Sequence, residues 1–123
     1  MRIFAQICLG TKNAHDRSVI HRDIKSLNIL MTKRDIIKIS DFGISKILFD
    51  SNSFAQSRIG STSYLSPEIL KGNSYNTKTD IWSLGILLFE LIALSLPFVG
   101  ASQTEAVLAI LNNQMQPLPE HTS

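Results

Sequence analysis

The chain of 123 residues contains a single cysteine, Cys8, so no internal disulfide can form. That suits a reducing compartment, and the expected address is intracellular, in the cytoplasm. Charge of one sign is scarce too. Twelve Lys and Arg against ten Asp and Glu leave a net +2. So small an excess argues against a nucleic-acid partner or an anionic-membrane partner. Long apolar runs are also missing. The most apolar stretch, Ile81 to Phe98, contains Glu90 and Pro97 and is shorter than the ~20 residues of a bilayer span. It reads as a buried core helix. The opening Met1 to Gly10 resembles a secretory leader only superficially. Gln6 interrupts its apolar run, and no small-residue cleavage site follows. Repeats and low-complexity tracts are absent.

What is present is mostly helical. Ile3, Phe4, Ile7 and Cys8 share a helical face that Ala14 continues, so a first helix is predicted to end near His15-Asp16-Arg17. Val19 to Asn28 has no clean period and reads as a loop. Asn28 to Thr32 and Ile36 to Ser40 are short β-branched-rich runs around Lys33-Arg34-Asp35, which predicts a hairpin. Asp41 to Ser66 is a long polar stretch, and such a loop inside a compact domain usually carries function. Ser66-Pro67-Glu68 reads as a helix start with Ser66 as N-cap, and Gly72 as the stop. Asp80 to Leu96 is expected to be a helix buried all round, ended by Pro97. Ser102 to Glu105 forms a capping box before a last helix. Pro117 and Pro119 break up the tail.

The chemistry sits in ordered motifs. His21-Arg22-Asp23-Ile24-Lys25-Ser26-Leu27-Asn28 differs from the H-R-D-L-x-x-x-N string of phosphoryl-transfer catalytic loops only by Ile24. Asp41-Phe42-Gly43 follows eighteen residues after Asp23, and Ser66-Pro67-Glu68 stands where A-P-E is expected. Asp80-Ile81-Trp82-Ser83-Leu84-Gly85 comes next. One tripeptide would mean little; four elements in order mean much. Over essentially its whole length the chain resembles the eukaryotic protein kinases. Lys25, two residues after Asp23, resembles the serine/threonine class. Gly60 to Glu68, with Tyr75-Asn76 and Asp80-Ile81-Trp82, resembles the NIMA-related kinases.

The resemblance implies roles, residue by residue. Asp23 matches the carboxylate that receives or orients the substrate hydroxyl proton, and Lys25 the lysine that steadies the transferred phosphate. Asn28 and Asp41 match oxygen ligands of Mg²⁺, and Leu30 the apolar floor of the adenine pocket of ATP. Ser57 matches the activation-loop phosphosite, with Ser51 and Ser53 as competitors, and its phosphate would pair with Arg22. Ser61 matches the hydroxyl that contacts Asp23 and Lys25. His21 would be a satisfied core histidine packed with Phe42. Cys8 is expected to be a small buried apolar residue. Protein substrates and ATP are the expected partners.

The resemblance also implies what is missing. No G-x-G-x-x-G loop, V-A-I-K lysine or partner glutamate precedes His21. The expected fold is therefore mainly α (α+β), a kinase C-terminal lobe over residues 1–123 with a small hairpin and no N-terminal lobe. No arginine follows Arg58, so Glu68 is expected to lack its family partner, and the Asp80 to Leu96 helix to show uncovered apolar surface. Two functions compete: a serine/threonine kinase acting as part of a complete domain, or an inactive remnant serving as an interaction module.

Overall fold

The computed structural model describes residues 2–40, 62–73 and 76–120. Within them lie four α-helices and one two-stranded antiparallel sheet, the mainly helical architecture expected. Helix α1 spans Arg2–Asp16 and buries Ile7 and Thr11, with Phe4 packed beside them. The buried stripe therefore runs through positions 4, 7 and 11 rather than along the predicted face. Ile3 is largely exposed, and Cys8 is only half-buried. Burial still pushes the Cys8 thiol above its ordinary value. Thr11 enters the core because its hydroxyl donates to the Ile7 carbonyl at 2.9 Å.

The hairpin pairs β1, Ile29–Met31, with β2, Ile37–Ile39, so that Ile29 faces Ile39 and Leu30 faces Lys38. Ser40 donates to Asn28 at 2.8 Å and Thr32 to Ile36 at 2.9 Å, which extends the ladder to nearly the predicted bounds. Gln6 fastens the hairpin to α1. Its side chain accepts from Ile37 N–H at 3.0 Å and donates to the Asp35 carbonyl at 3.1 Å. At Gly10 a Cβ would stand 3.2 Å from Ile39 Cδ1, so the two elements meet closely there.

Helix α2, Pro67–Leu70, opens with Pro67 at its first turn. The predicted Ser66 cap is corrected in one respect. Its backbone is extended as a cap requires, but its hydroxyl makes no capping bond and is buried with no hydrogen-bond partner among the described residues. Helix α3 spans Thr77–Ala93, three residues earlier than expected at each end. Asn76 is the reason. Its side chain accepts from Lys78 N–H and Thr79 N–H, while Thr79 Oγ1 accepts from Asn76 N–H at 3.1 Å. Nor is α3 buried all round: Ile81 is 52% exposed, and Leu91 is also open. That is the uncovered apolar surface expected from the sequence. Helix α4, Gln103–Leu111, starts on Ser102, whose hydroxyl accepts from Glu105 N–H. Glu105 reaches back to Ala101 N–H, one residue beyond the predicted box. After α4, no further helix or strand follows through residue 120.

Helix ends follow one rule with different residues. Gly72, Ser18 and Asn113 all take positive φ; each donates to the carbonyl three residues back, and the residue after each donates to the carbonyl five back. Leu94 ends α3 at φ 56° with its side chain 89% exposed. The core gathers Ile7, Ile24, Tyr64, Leu84, Leu87, Phe98 and Ile110, with Trp82 stacked on Phe98 at 5.7 Å between ring centroids. Ile24 carries the functional loop into this core, with α1 and α3 on either side.

Leu94 sits in a left-handed conformation that costs a β-carbon ~1–2 kcal/mol. Glycine forfeits ~0.5–1 kcal/mol of that gain through its freer unfolded chain. Leu94→Gly should therefore raise stability by about 0.5–1 kcal/mol in urea unfolding. A destabilised variant would mean that the exposed side chain holds a contact after all.

Candidate active site

Asp80, inside α3, fixes the backbone of the loop that follows α1. It is fully buried, and its carboxylate accepts from His21 N–H at 2.8 Å and Arg22 N–H at 3.0 Å. His15 Nε2, from the last turn of α1, lies 2.9 Å from the same carboxylate. These bonds hold Arg22 at φ 78°, a conformation that a non-glycine residue rarely takes. His21 is equally buried. Its Nδ1 accepts from Asp23 N–H at 3.0 Å, so Nε2 carries the proton and donates to the Ser40 carbonyl at 2.7 Å. One imidazole thus links the loop to the end of β2, as a satisfied core histidine.

Asp23 projects from this scaffold and stays about a quarter exposed. Lys25 Nζ stands 3.5 Å from Asp23 Oδ2. The Asn28 amide donates to the Asp23 carbonyl at 2.7 Å and to Asp23 Oδ2 at 3.3 Å. Asn28 is buried at the end of a 3₁₀ turn, Ser26–Asn28, which leads directly into β1. A carboxylate, a lysine and an amide therefore converge on one point. Leu30 lies on the hairpin opposite Lys38 and is 53% exposed. Asp41, Phe42, Ser57 and Ser61 lie outside the described residues, so the partners expected for Arg22 and His21 there do too.

A second cluster joins the 3₁₀ turn to α3. Tyr64, in the 3₁₀ turn Thr62–Tyr64, gives its hydroxyl hydrogen bond to Glu90 Oε2. The Ser26 hydroxyl donates to Glu90 Oε1 at 3.3 Å and lies 3.3 Å from the Tyr64 hydroxyl. Ser83 Oγ donates to the Tyr64 carbonyl at 2.9 Å, pinning that turn to the same helix. Burial, then the bond to Glu90, pushes the Tyr64 phenol up to about 12. Glu68, expected without its arginine, accepts from Thr79 Oγ1 at 3.4 Å.

Residues 1–122 match the family model of the protein kinase domain. The chain belongs to the protein kinase family. It is similar to the serine/threonine-protein kinase Nek5 of Homo sapiens, 47% identical over 116 residues, which cover 94% of this chain and 16% of that protein. Against the serine/threonine-protein kinase Nek1 of Mus musculus the identity is 43% over 120 residues, 98% of this chain and 10% of the relative. Against nekl-2 of Caenorhabditis elegans it is 43% over 121 residues, 98% and 34% respectively. The chain thus spans a tenth to about a third of the lengths of these relatives.

Within this kinase chain, sequence reasoning found the loop but not what holds it. In the sequence Asp80 belongs to a motif and opens the predicted apolar helix, but neither shows its bonds to His21, Arg22 and His15. Ser26, Tyr64 and Glu90 gave no signal, because 38 and 64 residues separate the partners. Among the described residues no group of three or more His, Cys, Asp or Glu could hold a metal, and no helix is long and apolar enough to cross a membrane.

Two outcomes test this geometry. Asp80→Ala strands two buried N–H groups and a histidine, and should cost about 3–5 kcal/mol in denaturant unfolding. A loss below about 1 kcal/mol would mean that the loop holds its own shape. Burial and the bond to Glu90 push the Tyr64 phenol up from the ordinary 10.0 to about 12. A folded value raised in this way stabilises the fold fully below pH 10, and the contribution fades as the pH climbs toward 12. In a Tyr75→Phe background, ultraviolet titration should show no phenolate before the helical circular dichroism declines. A midpoint near 10 in folded protein would contradict the contact with Glu90.

Proposed function

We propose that the chain is the C-terminal lobe of a serine/threonine protein kinase domain, whose complete form transfers the γ-phosphate of ATP to protein Ser or Thr hydroxyls. The observation that carries this is the convergence of Lys25 and Asn28 on Asp23, held in a loop fastened to Asp80. Phosphoryl transfer asks chiefly for positioning and charge neutralisation, and this arrangement offers both. In the proposed mechanism Asp23 orients the acceptor hydroxyl and takes its proton as the new O–P bond forms and the bond to ADP breaks. Lys25, beside that carboxylate, would face the phosphoryl oxygens. The Asn28 nitrogen is committed to Asp23, which leaves its carbonyl oxygen as the kind of atom a hard cation takes. With Asp41 it would hold Mg²⁺, whose bound charge neutralises the phosphates. Leu30 would lie under the adenine. Phosphorylation at Ser57, paired with Arg22, and the Ser61 hydroxyl would complete the activation segment.

The exposed apolar surface on α3 favours a second reading for the 123-residue chain by itself, an interaction module without activity. The grip on the ATP phosphates belongs to the other lobe in this family. Purified alone, the chain should not phosphorylate casein or itself, and Asp23-dependent turnover would overturn that statement. In the complete domain, Asp23→Asn should lower kcat roughly a hundred- to ten-thousandfold while nucleotide binding stays intact. Full activity in that variant would remove Asp23 from the proposed role.

A further inference from the structure

The loop that bears Asp23 is fastened to α3 at His21 and Arg22, through Asp80, and again farther along. The second place is the 3₁₀ turn. Ser26 lies between Lys25 and Asn28, the two residues whose side chains meet Asp23. Its hydroxyl is in reach of both Glu90 Oε1 and the Tyr64 hydroxyl, each at 3.3 Å. Glu90 belongs to α3, a rigid element, and Tyr64 is 8% exposed within the core. Ser83 holds the Tyr64 backbone to α3 as well. Among the described residues of the turn, Ser26 is thus the side chain that ties this exposed loop to Tyr64 in the core and to the half-buried Glu90 on α3.

We propose that Ser26, through Tyr64 and Glu90, is a positioning residue for phosphoryl transfer: it sets the turn that aims Lys25 and Asn28 at Asp23. The proposal rests on the kinase reading above and adds to it a role for a residue outside the reacting groups. Ser26 touches neither nucleotide nor acceptor in this role. Its effect reaches the reaction only through the geometry of its neighbours. Loss of the hydroxyl leaves the turn able to form, since its backbone bond from Asn28 N–H to the Lys25 carbonyl at 3.0 Å remains, but leaves it free to rock. The suppressed ionisation of the Tyr64 phenol accords with this closed cluster, in which the phenol is desolvated and already bound to a carboxylate.

The test uses Ser26→Ala, Tyr64→Phe, their double variant and the conservative Ser26→Thr. Lys12→Ala, which breaks only the exposed pair with Asp16, is the control. In the 123-residue chain, amide exchange at Asp23 and Asn28 should quicken about five- to tenfold in Ser26→Ala and Tyr64→Phe, the worth of one hydrogen bond. It should stay unchanged in Lys12→Ala and Ser26→Thr. In the complete kinase carrying this chain, the first two variants should lower kcat by a similar factor and leave the KM for an acceptor peptide unchanged. The double variant should be no worse than either single one, because the groups act as a unit. Exchange and kcat at wild-type levels in Ser26→Ala would overturn the role of Ser26 while Asp23-dependent transfer stands. Wild-type protein without Asp23-dependent transfer would overturn the kinase reading itself, and this inference with it.

Discussion

The buried carboxylate of Asp80 is the constraint on which the loop depends. It binds two successive backbone N–H groups, at His21 and Arg22, and the ring of His15. That set joins α1, the loop and α3 at one point without a disulfide. It also maintains the positive φ at Arg22, which would relax in an unsupported chain. Where α3 starts therefore matters as much as what it contains. Asn76 and Thr79 fix the first turn, and Asp80 is the next residue along. Thr79 has two duties: its hydroxyl closes the capping box and donates to Glu68 on α2. The cap thus sets the register of α3 against both α2 and the loop.

How much was legible in the sequence divides along contact distance. The cluster around Asp23 lies within one ordered motif, and its contacts are local: His21 meets Asp23 two residues away, and Asn28 meets Asp23 five away. The hairpin and Gly72 were legible for the same reason, since turn chemistry is written in neighbouring residues. The start of α3 was not, because Thr77, Lys78 and Thr79 are polar and a search for apolar period passes over them. The end of α1 near Asp16 was legible, but the left-handed closures at Ser18, Leu94 and Asn113 were not, as the sequence offers no glycine there. Ser66 shows the opposite failure. Its residue type fits a cap, but its hydroxyl is buried in the packing beneath α2 instead. Gln6 was read only as a break in an apolar run, whereas the fold uses it as the clasp on the hairpin. The Asp80 and Glu90 contacts span 58 to 65 and 26 to 64 residues, and no local pattern carries such pairings.

Asp80 and Glu90 together explain why the loop needs no regular structure of its own. Both stand on α3, ten residues apart in the chain, which is about 15 Å along a helix axis. Their loop partners, Arg22 and Ser26, are four residues apart, and four residues in extended form reach about 13–14 Å. Lys25 is extended, with φ −159° and ψ 165°. The helix therefore acts as a ruler laid beneath the loop. Its two acids hold both ends of this short stretch, which bends at Arg22 and at Lys25. Ile24 has little choice but to drop into the core, where it is 1% exposed, while its neighbour Asp23 is turned outward. With Ile24 seated in the core and the loop anchored at Asp80 and Glu90, Asp23 is left partly exposed at the surface, where Lys25 and Asn28 meet it.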